Sequence, residues 1–285
     1  MLKTEENVTP KIFHKIFQDI WETEDIPQSW KKGLIVKLPK KGDLGDCNNW
    51  RGITLLSDTS KVFTRIILKR IKEAIDEVLR QEQAGFRKSK SCIDHIFVLI
   101  QILEQSHEWN SPLYIMFIDF EKAFDSPHRP SLWKILRHYG IPQKLVNIIQ
   151  SLYDSFECKV IHNGLLTDPF KINTGVKQGC IISPIIFSLA IDWMMRYVTD
   201  GKRQGLQWSL TSTLEDLDYA GDIGILSNRH QDIQAKSDIT SATISLKMNF
   251  KKTKLMRKNT SNNNPVTING NRIHEVNALP MLAAK

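Results

Sequence analysis

The chain has 285 residues, 39 Lys and Arg against 31 Asp and Glu, a formal net charge of +8 and 41% hydrophobic residues. This composition is typical of a folded domain and excludes a wholly disordered or fibrous chain. Four cysteines without a C-x-x-C pair argue against a disulfide scaffold and a zinc ribbon. No apolar run approaches the ~20 residues of a membrane span, and the charged N-terminus lacks a secretion signal. We therefore expect an intracellular protein, in the nucleus or the cytoplasm, with a preference for polyanionic partners and none for membranes.

Hydrophobic periodicity predicts helices and strands that alternate irregularly along the chain. The predicted helices are residues 60–79, 93–107, 131–139, 142–153, 184–197 and 232–246. The predicted strands are the apolar run 113–120, a hairpin over 156–172 that turns at Asn163-Gly164, two short strands over 214–227, and a small hairpin over 266–276. Because strands and helices are mixed without strict alternation, the sequence predicts an α+β fold.

Two aspartates lie at the ends of apolar strands far apart in the sequence. Asp119 follows the run LYIMFI, and Asp222 lies at the tight turn between the two strands predicted over 214–227. Paired carboxylates on neighbouring strands can hold Mg²⁺, which prefers oxygen ligands. In two-metal sites, such ions activate an attacking hydroxyl and stabilise the leaving group. Aspartate is also common in turns that end strands, so the spacing alone leaves both interpretations open.

A series of longer motifs runs through most of the chain. In order they are WKKGLIVKLPKKGD, NNWRGITLLS, QAGFRKSKSC, IDFEKAFDSPH, GVKQGCIISPIIFSL, YAGD and MNFKKTKLM. In this order they resemble the reverse transcriptase of non-long-terminal-repeat (LINE-type, RTE-like) retrotransposons. The resemblance implies a right-hand polymerase fold with interleaved fingers and palm at residues 26–256. Residues 1–25 would then be an N-terminal extension and 257–285 a truncated or divergent tail, with the thumb largely missing.

The resemblance also implies a reaction and its partners. It is the RNA-directed transfer of nucleotidyl groups from deoxynucleoside triphosphates to a primer 3′-OH, with an RNA template, two Mg²⁺ ions and pyrophosphate as the leaving group. Asp119, Asp222 and the backbone carbonyl of Phe120 would bind the metal, with both aspartates catalytic. Lys252 would stand near the leaving phosphate as a general acid or a charge stabiliser.

Five further residues match positions that contact the nucleotide in this family. Arg51 would grip the triphosphate, assisted by Lys37, Lys40 or Lys41, because a guanidinium forms forked contacts with phosphate. The ring of Phe124 would pack beneath the sugar and exclude a ribose 2′-OH. Gln178 and Gly179 would let the backbone approach a nucleotide or the template. Taken alone, Arg51 would more often be an ordinary surface cation.

The sequence departs from the family at the YAGD turn. The family has two adjacent aspartates after Ala220, and Gly221 replaces the first of them. Gly221 therefore marks a lost ligand position, while Asp216 and Asp218 lie close but are not obvious replacements. Glycine is expected to keep the turn because it accepts a positive φ. We thus expect an intact fold, weakened Mg²⁺ binding and severely impaired or absent catalysis in this copy.

One alternative function stays open and a second is disfavoured. The chain can be a catalytically inactive relic of a mobile element that binds nucleic acid, or one that does nothing. An RNA polymerase of the same palm architecture is disfavoured by Phe124 and by the family motifs. The sequence leaves the oligomeric state undetermined.

Overall fold

The computed structural model describes residues 9–243 and 246–278, which divide into two compact units. Among these residues the α-helices are α1 (Thr9–Thr23), α2 (Asp58–Val78), α3 (Cys92–Glu108), α4 (Arg129–His138), α5 (Gln143–Tyr153), α6 (Ser183–Thr199) and α7 (His230–Thr243). The strands are β1 (Lys32–Pro39), β2 (Trp50–Leu55), β3 (Leu113–Ile118), β4 (Glu157–His162), β5 (Leu165–Leu166), β6 (Phe170–Lys171), β7 (Leu206–Gln207), β8 (Thr213–Leu214), β9 (Asp216–Tyr219), β10 (Asp222–Ser227), β11 (Lys254–Lys258), β12 (Thr267–Ile268), β13 (Asn271–Arg272) and β14 (His274–Val276). None of the helices in this part of the chain is both long and apolar enough to cross a bilayer.

The first unit contains residues 9–77 and 128–186 and is built on a sheet of order β2-β1-β4-β5, with β6 also paired to β4. Strand β1 is antiparallel to β2 and parallel to β4. The rings of Phe17, Trp30 and Phe63 pack against one another, with centroids 5.1 to 6.4 Å apart. This aromatic cluster connects α1 and α2 beside the sheet and buries part of the apolar face of each helix.

The second unit contains residues 78–127, 187–243 and 246–278 and is built on a sheet of order β14-β11-β3-β10-β9. All six residues of β3 are buried, as expected for a continuous apolar run at the centre of a sheet. Strands β10 and β11 flank β3 and are both antiparallel to it. A buried core forms between α3 and this sheet, from Leu99, Ile102, Leu113, Ile115, Phe117, Leu217, Leu226 and Met256.

The predicted elements are confirmed wherever the structure describes them. Each predicted helix lies within three residues of an observed one, although residues 244–245 of the last prediction lie outside the described chain. The hairpin turns at Asn163-Gly164 and Asn269-Gly270 are present, with positive φ at all four residues. Helix α1 and strands β1, β2, β7 and β11 are not among the predicted elements. The ends of the predicted extension and tail, residues 1–8 and 279–285, lie outside the described residues, and those boundaries stay predictions.

Candidate active site

The register of two central strands brings Asp119 and Asp222 together in the second unit. The pairing of β3 with β10 ends at Ile118 opposite Ile223. Asp119 follows the first of these residues and Asp222 precedes the second, so the two aspartates face each other one step beyond the last pair. Opposed residues of antiparallel strands have Cβ atoms about 4.5–5.5 Å apart and side chains on the same face. The strand ends therefore present two carboxylates side by side.

Phe120 is held from the other side of β3. It forms an isolated antiparallel bridge with Met248, and the N–H of Asn249 donates to the carbonyl of Asp119 at 2.8 Å. In a bridge of this kind, the hydrogen bonds come from the neighbouring residues, and the bridged residues point their own backbone groups away from each other. The carbonyl of Phe120 therefore points away from Met248, toward the side of β10 and Asp222.

Lys252 reaches Asp119 through a tight turn. The N–H groups of Lys252 and Thr253 both donate to the carbonyl of Asn249, at 3.1 and 2.8 Å. This turn places Nζ of Lys252 3.4 Å from Oδ2 of Asp119, with the two side chains 62% and 36% exposed. Exposed ion pairs contribute about 1 kcal/mol or less to stability, so this contact is easily exchanged for another anion.

In the turn of the β9–β10 hairpin, the residue with a positive φ is not the one that the sequence analysis expected. Tyr219 pairs with Asp222, which leaves Ala220 and Gly221 as the two turn residues. The positive φ, 58°, belongs to Ala220, and Gly221 lies outside the left-handed region. The expectation that Gly221 serves the turn by accepting a positive φ is therefore wrong, and the backbone at this position accepts any L-residue.

Space at position 221 is limited by an aromatic stack. A Cβ built on Gly221 would lie 3.1 Å from Cε1 of Phe187, so this ring must move by a few tenths of an ångström to admit a side chain. The ring of Phe187, fully buried, stacks on Phe124 with centroids 4.7 Å apart. The predicted sugar-contacting residue Phe124 is thus linked through one ring to the lost ligand position.

Asp216 and Asp218 cannot substitute for the missing carboxylate. Because Asp222 pairs with Tyr219, the alternation of side chains puts Asp216 and Asp218 on the opposite face of the hairpin. There they are buried against Arg80, whose Nη1 lies 2.8 Å from both oxygens of Asp216 and whose Nη2 lies 2.5 Å from Asp218. Burial, followed by the charge of Asp216, raises the pKa of Asp218, and Arg80 opposes this increase.

The predicted nucleotide contacts of the first unit lie on a different sheet, and its register separates two of them. Arg51 pairs with Leu38, whereas Lys37 pairs with Gly52. Arg51 and Lys37 are therefore on opposite faces of the sheet. Nζ of Lys37 lies 4.6 Å from the ring centroid of Trp50. The structure places Lys37 and Arg51 on opposite faces of the sheet, and the assistance of Lys37 at the triphosphate stays a prediction.

Gln178 and Gly179 are attached to the strand that carries Arg51. The N–H of Thr54 in β2 donates to the carbonyl of Gln178 at 2.7 Å. Gly179 has a φ of 111°, and a Cβ there would lie 2.4 Å from the carbonyl oxygen of Thr54. A glycine is therefore required at residue 179, because both the backbone conformation and the close approach exclude a side chain.

The donors at the strand ends do not fit the two-ion site that the resemblance implies. They are two carboxylates and one backbone carbonyl, and position 221 carries no side chain. Within residues 9–243 and 246–278, no group of three or more His, Cys, Asp or Glu is placed to hold a metal ion. Two adjacent Mg²⁺ ions need more anionic oxygens than these residues supply.

Two residues of the site were missed in the sequence. Phe187 lies inside the motif GVKQGCIISPIIFSL, but the motif does not reveal that its ring lies against position 221. Arg80 lies outside the motifs, and its three carboxylate partners are 112 to 138 residues away. A basic residue just after an apolar helix gives no sequence signal that it is buried.

A family model described as reverse transcriptase (RNA-dependent DNA polymerase) matches residues 38–272. A Xenopus laevis protein called transposon TX1 uncharacterized 149 kDa protein is 32% identical over 180 residues, which are 63% of this chain and 14% of that protein. The Pol polyprotein of the Drosophila melanogaster type-2 retrotransposable element R2DM is 29% identical over 194 residues, which are 68% of this chain and 18% of that protein. The chain thus spans less than a fifth of either relative.

The fold is similar to that of telomerase. Apo telomerase of Candida tropicalis, truncated from its C-terminal domain, aligns with a TM-score of 0.62 and 14% identity over 90% of this chain and 57% of that one. Telomerase of the same species in complex with a fragment of telomeric RNA aligns with a TM-score of 0.57. Telomerase has the right-hand polymerase fold, so the α+β right-hand architecture expected from the sequence is confirmed.

Proposed function

This chain belongs to the reverse transcriptase (RNA-dependent DNA polymerase) family, among the reverse transcriptase domains of non-long-terminal-repeat retrotransposons, and we propose that it is a template-directed nucleotidyl transfer domain impaired in this copy. The observation that supports this most is the placement of Asp119 opposite Asp222 at the ends of β3 and β10, beside a residue without a side chain. Because the chain spans a small part of its relatives, the proposal concerns this domain alone.

The proposed partners are an RNA template, a DNA primer and deoxynucleoside triphosphates. A net charge of +8 favours a polyanion, and a structural neighbour was solved with an RNA fragment. Arg51 is the residue that we propose for the triphosphate, since it is exposed on β2, the strand to which Gln178 and Gly179 are attached. Phe124 would contact the sugar.

The proposed chemistry uses position and charge. Lys252 would stabilise the charge that develops on the leaving phosphate, because its ammonium already lies at the carboxylate end of β3 and is only weakly held there. Asp119 and Asp222 would supply negative charge beside the primer 3′-OH. Because the donors present do not fit two Mg²⁺ ions, we propose that this copy binds Mg²⁺ weakly and transfers nucleotides slowly or not at all.

Primer extension on an RNA template tests this proposal. The natural chain, Gly221→Asp, and Gly221→Asp combined with Asp119→Asn are compared in Mg²⁺ and then in Mn²⁺. We expect extension with Gly221→Asp, at least about 100-fold less with the natural chain, and none with the double variant, since each loses charge stabilisation of the transition state. Equal extension by the natural chain and Gly221→Asp would refute the impairment, and no extension by any of them would refute the polymerase assignment.

The second candidate is a nucleic-acid-binding relic without activity, and Gly221 is the observation that favours it. Binding of a single-stranded RNA is measured at several salt concentrations. A steep decrease in affinity with salt supports this candidate, because phosphate neutralisation releases counterions. Negligible binding at low salt leaves a relic that does not bind RNA.

A further inference from the structure

The side-chain amide of Gln83 contacts the turn of the β9–β10 hairpin. Gln83 is fully buried in the second unit. Its Oε1 accepts hydrogen bonds from the N–H of Ala220 at 3.0 Å and from the N–H of Gly85 at 2.9 Å. Its Nε2 lies 3.4 Å from the carbonyl of Ala220. One amide side chain therefore contacts both backbone polar groups of the first turn residue.

Ala220 is a residue that needs such support. Its φ of 58° lies in the left-handed region, where the Cβ of an L-residue crowds the following carbonyl oxygen. Strained conformations of this kind persist only where the surrounding structure holds them. Gln83 accepts a hydrogen bond from the N–H of Ala220 and donates one to its carbonyl, and both would be lost if the backbone of Ala220 left this conformation.

The backbone around Gln83 follows the hairpin closely. Gln83 forms a parallel bridge with Asp218, and the N–H of Ala84 donates to the carbonyl of Asp218 at 2.8 Å. A Cβ at Gly85 would lie only 2.2 Å from the backbone nitrogen of Ala220. The segment is thus packed closely against the turn of the hairpin.

The conformation of Ala220 determines where the next residues lie. Position 221 and Asp222 follow it directly, and Asp222 must face Asp119 for the two carboxylates to act together. We propose that Gln83 is a positioning residue for nucleotidyl transfer: it holds Ala220 in the left-handed conformation and thereby keeps position 221 and Asp222 aligned with Asp119. This inference rests on the proposed function for its catalytic consequence and on the contacts of Gln83 for its structural one.

Kinetics in the Gly221→Asp background test the catalytic consequence. Gln83→Met keeps the side-chain length but removes both hydrogen-bonding groups. We expect kcat to fall about 100-fold, as for a catalytic group displaced by about an ångström, with KM for the deoxynucleotide within about threefold. Adding Ala220→Gly to Gln83→Met should raise kcat at least about tenfold above that of Gln83→Met alone, because glycine adopts the left-handed conformation without the steric penalty. Gln105→Met, at an exposed position of α3, is the control and should change neither parameter.

An unchanged kcat in Gln83→Met, or a loss that Ala220→Gly does not recover, would overturn the positioning role. A general structural role predicts the second result, because a destabilised fold is not repaired at residue 220.

Amide hydrogen exchange in the natural chain tests the structural consequence without any activity. In Gln83→Met the N–H of Ala220 should exchange about tenfold faster, since it loses its acceptor, while the N–H of Ile115 at the centre of β3 keeps its rate. Unchanged exchange at Ala220 would overturn the inference. If Gly221→Asp extends no primer, the proposed function fails, and the exchange rates still decide whether Gln83 holds the turn.

Discussion

Two pairs of aspartates in the second unit differ in burial although they lie on or next to three neighbouring strands. Asp216 and Asp218 are fully buried, face away from the strand ends and bind Arg80. Asp119 and Asp222 lie at the ends of β3 and β10, where the side chain of Asp119 is 36% exposed. Buried carboxylates must be paired, whereas the exposed ion pair of Asp119 with Lys252 is weak and can be exchanged for another partner.

This difference explains why the fold tolerates a glycine at position 221, where we propose that a catalytic carboxylate is missing. The support under the hairpin depends on Arg80 and its partners, and a change there would leave buried charges unpaired. Position 221 contributes no contact to that support. A substitution at residue 221 therefore removes a ligand without removing a structural interaction, and the fold gives no resistance to it.

We expect the largest effect on stability from removing the cation that pairs with the buried aspartates. Arg80→Leu leaves Asp192, Asp216 and Asp218 buried without their shared cation. We expect the free energy of unfolding in urea to fall by about 3–5 kcal/mol. The control Arg65→Leu, at an exposed position of α2, should change it by no more than about 0.5 kcal/mol. Similar effects of the two substitutions would contradict the structural role of the buried cluster.

A buried lysine in the first unit, Lys177, makes the stability of the fold depend on pH. Burial lowers the pKa of Lys177 to about 7, against 10.5 for an exposed lysine, although its Nζ donates to the carbonyl of Leu152. Between these values the unfolded chain binds a proton that the folded chain does not, so stability rises with pH across this window by up to about 1.4 kcal/mol per unit. The free energy of unfolding, measured from pH 7 to 9, should rise in the natural chain and change less in Lys177→Met. The same pH dependence in both proteins would refute this prediction.

Substitutions at the exposed side should have small effects on stability. Gly221→Ala reduces the entropy of the unfolded chain but presses on Phe187, so we expect a net change within about 1 kcal/mol. Gly221→Asp adds a third carboxylate near Asp119 and Asp222, and repulsion should lower stability further by a similar amount. Adding Mg²⁺ should reverse the difference between these variants. A loss several times larger in Gly221→Ala would show that the fold depends on a glycine here.

The smallest effect is expected at Lys252. Its ion pair with Asp119 is exposed, so Lys252→Ala should change the free energy of unfolding by about 0.5 kcal/mol or less. In the Gly221→Asp background, removal of this competing cation should tighten Mn²⁺ binding about twofold in a calorimetric titration. Weaker Mn²⁺ binding would instead mean that Lys252 orients Asp119 for the ion.

The sequence predicted what depends on local pattern and on long motifs. The run LYIMFI gave a buried strand because it is apolar throughout, and Asp119 and Asp222 were paired because both end strands. Lys37 was predicted to assist Arg51, yet the two lie on opposite faces, because the register of two strands decides the face of each side chain. The register and the partners of Arg80 arise from contacts between distant segments, which one sequence does not display.

Mn²⁺ binding to the natural chain and to Gly221→Asp, measured by isothermal titration calorimetry, tests the central claim most directly. We expect Gly221→Asp to bind Mn²⁺ at least about tenfold more tightly, because it adds an anionic oxygen ligand where the structure has none. Adding Asp119→Asn should abolish this gain. Equal affinities of the natural chain and Gly221→Asp would contradict the claim that the missing carboxylate at position 221 is what impairs this reverse transcriptase domain.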